Sequence, residues 1–156
     1  IEMVKAVGQA YWPSYFGSVA RLLKPGGRAC IQSIVIDDAL FERYVQGTDF
    51  IQQYIFPGGC LPSPARFRAA AQAAGLRVVE EFAFGHDYAE TLRRWHQRFV
   101  QQRAQVQAQG FDERFQRTWE FYLAYCEAAF DARSIDVVQY TLIKDGERPA
   151  SSGTLL

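Results

Sequence analysis

The segment Arg28–Ile36 constrains this chain most: it is β-branched and almost wholly apolar, with Gln32 the exception. A run of that kind predicts a strand buried on both faces of a parallel sheet. Lys24-Pro25-Gly26-Gly27 stands directly before it and stops whatever helix precedes. Strand alternation assigns Cys30, Gln32, Ile34 and Ile36 to one face, and Ala29, Ile31, Ser33 and Val35 to the other.

The flanks read as helices and two further strands. Val7, Tyr11, Tyr15, Val19 and Leu22 recur every three or four residues, predicting an amphipathic helix over 3–23 with a start or kink at Pro13. Ser63 before Pro64 reads as an N-cap with proline in the first turn, and Phe67, Ala70, Ala71 and Ala74 continue a helix that ends at Gly75. A strand is expected over 76–84, helices over 88–107 and 112–130 separated by Gly110, and a last strand over 135–143. The tail from Asp145 is expected to fray. This order predicts an α/β chain that is the second half of a sheet whose first half is missing. With Ile1 where an initiator Met would stand, the chain is expected to be a processed or truncated piece.

Composition then removes function classes. Seventeen Lys plus Arg balance seventeen Asp plus Glu, so there is no net positive field for nucleic acid, and any contact with anionic lipid must be local. Cys30, Cys60 and Cys126 lie too far apart for a metal pair and are odd in number, which fits a reducing cytoplasm. His86 and His96 have no partner at ligand spacing. No apolar stretch of about 18 residues and no signal peptide are present, so the chain is expected to be cytoplasmic, at most peripheral at the inner membrane. No glycine-rich dinucleotide fingerprint follows a strand.

Aromatics make up 15% of the residues, more than a small core needs. One group, Phe41, Tyr44, Phe50, Tyr54 and Phe56, ends at Pro57-Gly58-Gly59. Its faces suit either contact with a bound apolar group or cation, or plain packing. A second group, Phe115, Trp119, Tyr122, Cys126 and Phe130, forms one helical seam that reads first as core, with a lipid or cofactor contact as the lesser alternative.

Several blocks occur in order: Glu2-Met3 with Ala6-Val7-Gly8 and Tyr11-Trp12; Leu23 to Gly27; Asp49-Phe50-Ile51; Tyr54 to Gly59; Leu61-Pro62-Ser63; and Asp87-Tyr88 with Thr91-Leu92 and Trp95. Together they resemble the cyclopropane-fatty-acyl-phospholipid synthases and their mycolic-acid relatives over about residues 1 to 144. The resemblance implies the C-terminal half of a class I methyltransferase, Rossmann-like sheet with inserted and long helices, the tail 145–156 lying outside it. It implies S-adenosylmethionine as cofactor, bound by a missing N-terminal half, and unsaturated phospholipid acyl chains as substrate, met in transient contact with a membrane surface. A homodimer stays open.

The family's chemistry adds the cofactor's methyl to a cis double bond and closes a three-membered ring by proton loss to a bound bicarbonate. The residues that hold this anion match Lys5, Gln32, Ile34 and Tyr88 here, while Phe50, Tyr54 and Phe56 are the candidates for acyl contact. Lys5 and Gln32 depart from the family's usual Glu and His. Gln can donate and accept as His does, but Lys replaces an acceptor by a group that only donates. Read without the family, Gln32 is first a satisfied core amide and Tyr88 first a packing residue. Two other functions stay open: a non-catalytic acyl-lipid-binding remnant, and another class I methyltransferase acting on an apolar substrate.

Overall fold

The computed structural model describes residues 3–145. Glu2 of the first block and the tail beyond Asp145 lie outside the described residues. The chain opens with a short helix α1 (Met3–Ala6) and a 3-10 turn (Gln9–Tyr11), then α2 (Trp12–Leu22) and β1 (Arg28–Ile36). Pro13 sits in the first turn of α2, where its missing N–H costs nothing, so it starts that helix and does not kink a longer one. Next come α3 (Asp38–Gln46), α4 (Phe50–Tyr54), α5 (Pro64–Ala73) and β2 (Leu76–Ala83). The chain continues through α6 (Gly85–Gln101), α7 (Arg103–Ala108), α8 (Glu113–Asp131) and β3 (Ile135–Lys144).

Local capping explains most of these boundaries. The Ser63 hydroxyl accepts from the Arg66 N–H with Pro64 following, as its sequence suggests. Asp49 and Gln52 form a reciprocal capping box at α4, each side chain accepting from the other's backbone N–H. α6 begins three residues before Tyr88 because the Asp136 carboxylate, from β3, accepts the Gly85 N–H at 2.7 Å. The helix expected to run to Gln107 breaks at Gln102, which separates α6 from α7.

The sheet order is β1-β3-β2, and both pairings are antiparallel. This corrects the parallel neighbour expected for β1: the last strand in sequence inserts between the first two. Nor is β1 buried evenly. Ile31, Ser33 and Val35 are buried, whereas Cys30 is exposed and Gln32 and Ile34 are half-buried. The apolar run therefore serves one closed face and one face that opens, near its C-terminal end, onto a cavity.

Helices cover two faces. On one, Phe16 of α2 and Phe67 and Ala71 of α5 pack with Ile31, Val35, Tyr140 and Leu142, and Phe67 stacks on Tyr140 at 3.9 Å. On the other, Ala89 and Leu92 of α6 pack with Leu123 and Phe130 of α8 over Val137. Arg93 staples α6 to α8 by bonding Glu127 and Asp131. No helix among the described residues is long and apolar enough to cross a membrane.

Candidate acyl-chain site

The cavity lies at the C-terminal end of β1 and has a volume of about 420 Å³. That location is where open α/β sheets bind ligands, and the volume falls within the roughly 300–1,000 Å³ of small-molecule sites. β1 supplies Ile34 and Ile36; α6 supplies Tyr88, Leu92 and Trp95; α8 supplies Tyr122, Tyr125, Cys126, Ala129 and Phe130. The remaining wall comes from Lys5, from Leu40, Arg43 and Tyr44 of α3, from the segment between Asp49 and Leu61, and from Ser134 and Ile135 at the start of β3. The wall is mostly apolar and aromatic, with three charged side chains, Lys5, Arg43 and Asp49.

Three of the four residues matched to the anion cluster, Lys5, Ile34 and Tyr88, line this one cavity although they come from α1, β1 and α6. Gln32 stands apart from the wall. Its amide oxygen accepts from Gln139 Nε2 at 3.1 Å, its register partner across β3. Tyr88 packs its ring against Phe130, 5.2 Å between centroids.

Backbone contacts fix where Lys5 sits. Its carbonyl accepts the Cys60 N–H at 2.9 Å, tying α1 to the loop after Pro57. Gly8 makes that approach possible, because it holds φ 74° and ψ 161° and a Cβ there would stand 3.1 Å from the Gly58 carbonyl oxygen. Only glycine occupies that region without strain. The Lys5 ammonium then lies 4.7 Å from the Phe56 ring centroid, a cation–π contact.

The aromatic candidates separate. Phe56 lines the cavity, but Phe50 and Tyr54 do not. Phe50 packs edge-on against Phe121 at 4.7 Å and beside Tyr125, which fixes α4 on α8, and Tyr54 is 59% exposed. The helical seam of α8, in contrast, puts Tyr122, Cys126 and Phe130 on the cavity wall, while Phe115 and Trp119 stack on each other beyond it. The seam's period was legible, but a period names a face without naming what that face meets. Arg43, Tyr44 and Leu40 share one face of α3 at helical spacing, and no family block pointed to Arg43. His86 is exposed and away from the cavity.

Burial sets the chemistry of two wall residues. It pushes the Tyr44 phenol up to about 12, and the hydroxyl, accepting the Leu61 N–H at 3.0 Å, clamps α3 to the loop in its neutral form. It also pushes the Cys126 thiol up to about 11, against a smaller downward pull from the Lys5 charge and a Tyr122 hydrogen bond. At neutral to mildly alkaline pH Cys126 stays a protonated, largely buried thiol, so iodoacetamide is expected to label it much more slowly than exposed Cys30. The gap should close as the pH approaches the raised value. Peptide mapping after timed labelling checks this, and equal rates at pH 8 would contradict the burial.

Comparisons with known proteins agree with this geometry. A family model described as mycolic acid cyclopropane synthetase matches residues 1–140. A tuberculostearic acid methyltransferase of Mycobacterium tuberculosis is 46% identical over 149 residues, covering 94% of this chain and 34% of that protein. The cyclopropane-fatty-acyl-phospholipid synthase of Escherichia coli K12 is 36% identical over 141 residues, covering 89% and 35%. The chain thus spans about a third of the length of these relatives. A crystal structure of a mycolic acid cyclopropane synthase complexed with SAH and CTAB superimposes with a TM-score of 0.83 at 27% identity, over 92% of this chain and 53% of that one. The three strands and their helices correspond to about half of that class I methyltransferase fold. On the match of residues 1–140, the chain belongs to the mycolic acid cyclopropane synthetase family.

Proposed function

We propose that residues 1–144 are the acyl-chain side of an S-adenosylmethionine-dependent enzyme that transfers a one-carbon unit to the cis double bond of a phospholipid acyl chain. The observation that carries this reading is the apolar cavity in which Lys5, Ile34 and Tyr88 meet beneath aromatic walls. Relatives named for fatty-acid methylation and for cyclopropane formation support it.

The described residues do not fit the cofactor. β1 runs into Asp37 and α3, and β2 into Phe84 and α6, so neither strand ends in a glycine-rich turn. On this reading S-adenosylmethionine is held by residues other than these, and the described residues serve the lipid.

Methyl addition to a double bond leaves a carbocation on the neighbouring carbon. Ring closure then breaks a C–H bond of the new methyl and passes that proton to a base. Bicarbonate fits the charge at this site, since Lys5 and Tyr88 are both able to donate to an anion. Gln32, bonded to Gln139, would hold the strand beside them and not the anion itself. The Phe56 face, suited to stabilising a cation, already carries the Lys5 ammonium. That contact and the 46% identity to a tuberculostearic acid methyltransferase favour a second outcome for the same intermediate, in which proton loss leaves a C=C bond beside or within the one-carbon branch and no ring forms.

The test is full-length enzyme with S-adenosylmethionine and dioleoyl phospholipid, read by mass spectrometry and proton NMR. Gain of one CH₂ per chain with upfield ring signals supports cyclopropanation, and a branched product without ring signals supports the second outcome. Lys5→Glu is expected to shift product toward the ring. Acyl binding with no product from either protein would leave the non-catalytic lipid-binding reading. The exposed aromatics around the cavity are the proposed transient contact with the cytoplasmic face of a membrane.

A further inference from the structure

We propose that Arg43 is the headgroup site of the cavity, receiving the phosphodiester of the phospholipid whose acyl chain lies inside. This rests on the acyl-chain reading above and goes on to say which lipids the site selects.

Four observations converge on it. Leu40, Arg43 and Tyr44 turn one face of α3 to the cavity, whereas Glu42, on the opposite side, pairs with Arg66 of α5. Arg43 is exposed where it borders the cavity and forms no ion pair with a described residue. Arg66, Arg68, Arg77, Arg93, Arg94 and Arg103 are matched to carboxylates, and of the described arginines outside those ion pairs Arg43 is the one that lines the cavity. Lys5 and Arg43 outnumber the one carboxylate on the wall, Asp49, which caps α4 by accepting the Gln52 N–H at 2.8 Å, so the cavity's charge balance is positive.

The rim completes the match. Phe56, Trp95 and Tyr125 line the cavity and yet are 42%, 53% and 37% exposed, so they mark where it opens. Aromatic rings that are apolar at one end and wet at the other suit the boundary between acyl chains and headgroups. A planar guanidinium with several donors suits a phosphodiester, which it binds in two-pronged fashion. A neutral glyceride with the same chain offers no anion and gains nothing from Arg43.

Trp95 on the wall gives a direct readout. The probe is 9,10-dibromostearoyl lysophosphatidylglycerol, whose bromines quench a nearby indole, compared with the monoglyceride of the same acid. Trp95→Phe assigns the quenching to the cavity. Arg43→Gln is expected to weaken binding of the phosphate lipid by about tenfold or more, the usual loss for a charge-assisted hydrogen bond. The monoglyceride should bind both proteins alike, Arg43→Lys should fall between, and added salt should weaken only the phosphate lipid.

An equal loss for both lipids, or no loss for either, overturns the headgroup assignment while leaving the acyl cavity standing. Displacement of the lipid by glycerol 3-phosphate at the lipid's own concentration also overturns it, since the site would then read a free phosphate. Failure of both lipids to quench Trp95 overturns the acyl-chain reading, and this inference with it.

Discussion

Gly85→Val is expected to lower the melting temperature by roughly 10 °C, the largest stability effect of any single substitution considered for this fold. Gly85 opens α6, and its N–H donates to the Asp136 carboxylate at 2.7 Å. A Cβ built on it would stand 2.5 Å from that same oxygen, 3.1 Å from Phe130 Cδ1 and 3.2 Å from the Asp136 Cα. The last of these is backbone in the central strand and cannot swing aside. Relief requires α6 to move away, which gives up the carboxylate at the helix N-terminus and the packing of Ala89 and Leu92. Overpacking costs about 1–3 kcal/mol and a lost hydrogen bond to a charged group about 1.5–3 kcal/mol, together a loss of several kcal/mol. Gly17→Ala is the matching control, because its Cβ meets nothing within 4 Å and it lies inside α2. It should gain about 0.5–1 kcal/mol. Thermal melts followed by circular dichroism decide, and a Gly85→Val protein that melts with the wild type would show that α6 is not held as described.

Tyr88→Phe is expected to lower turnover of the full-length enzyme by roughly a hundredfold, the lower end of what a positioned proton-transfer group contributes. The substitution keeps the ring that packs 5.2 Å from Phe130 and removes only the hydroxyl. Acyl binding, set by the apolar wall, should hardly change. A fall in kcat with KM preserved therefore assigns the hydroxyl to the reacting centre, whereas an equal loss of binding and turnover would make Tyr88 a packing residue. The two variants also connect. α6 carries Tyr88, Leu92 and Trp95 into the cavity from the turn that Gly85 begins, so a displaced helix start would remove all three from the site.

Much of this arrangement was legible in the residues because it is local. The Ser63-Pro64 start, the stop at Lys24 to Gly27 and the period of α8 depend on neighbours a few positions away, and each appears where its chemistry requires. The placement of Lys5, Ile34 and Tyr88 in one cavity followed from family blocks and not from periodicity, which carries no information about residues 83 positions apart. Phe50 and Phe56 show the limit most plainly. They share one aromatic block six residues long in separation, yet one buries its ring against Phe121 and the other faces the cavity.

The sequence by itself determined which segments are helix or strand, those ends that local caps and breakers set, and which family the chain belongs to, since propensity, capping and motif are written along the chain, whereas the start of α6 at Gly85 and its end before Gln102 were not legible there. Tertiary structure alone decided the rest. It inserted β3 antiparallel between β1 and β2, joined Gln32 to Gln139 across 107 positions, turned the α8 seam toward a cavity, and brought Arg43 to that cavity's edge without a carboxylate. Those outcomes depend on which distant surfaces meet. An apolar run or an unpaired charge states that a partner is needed, and only the packed chain states which one.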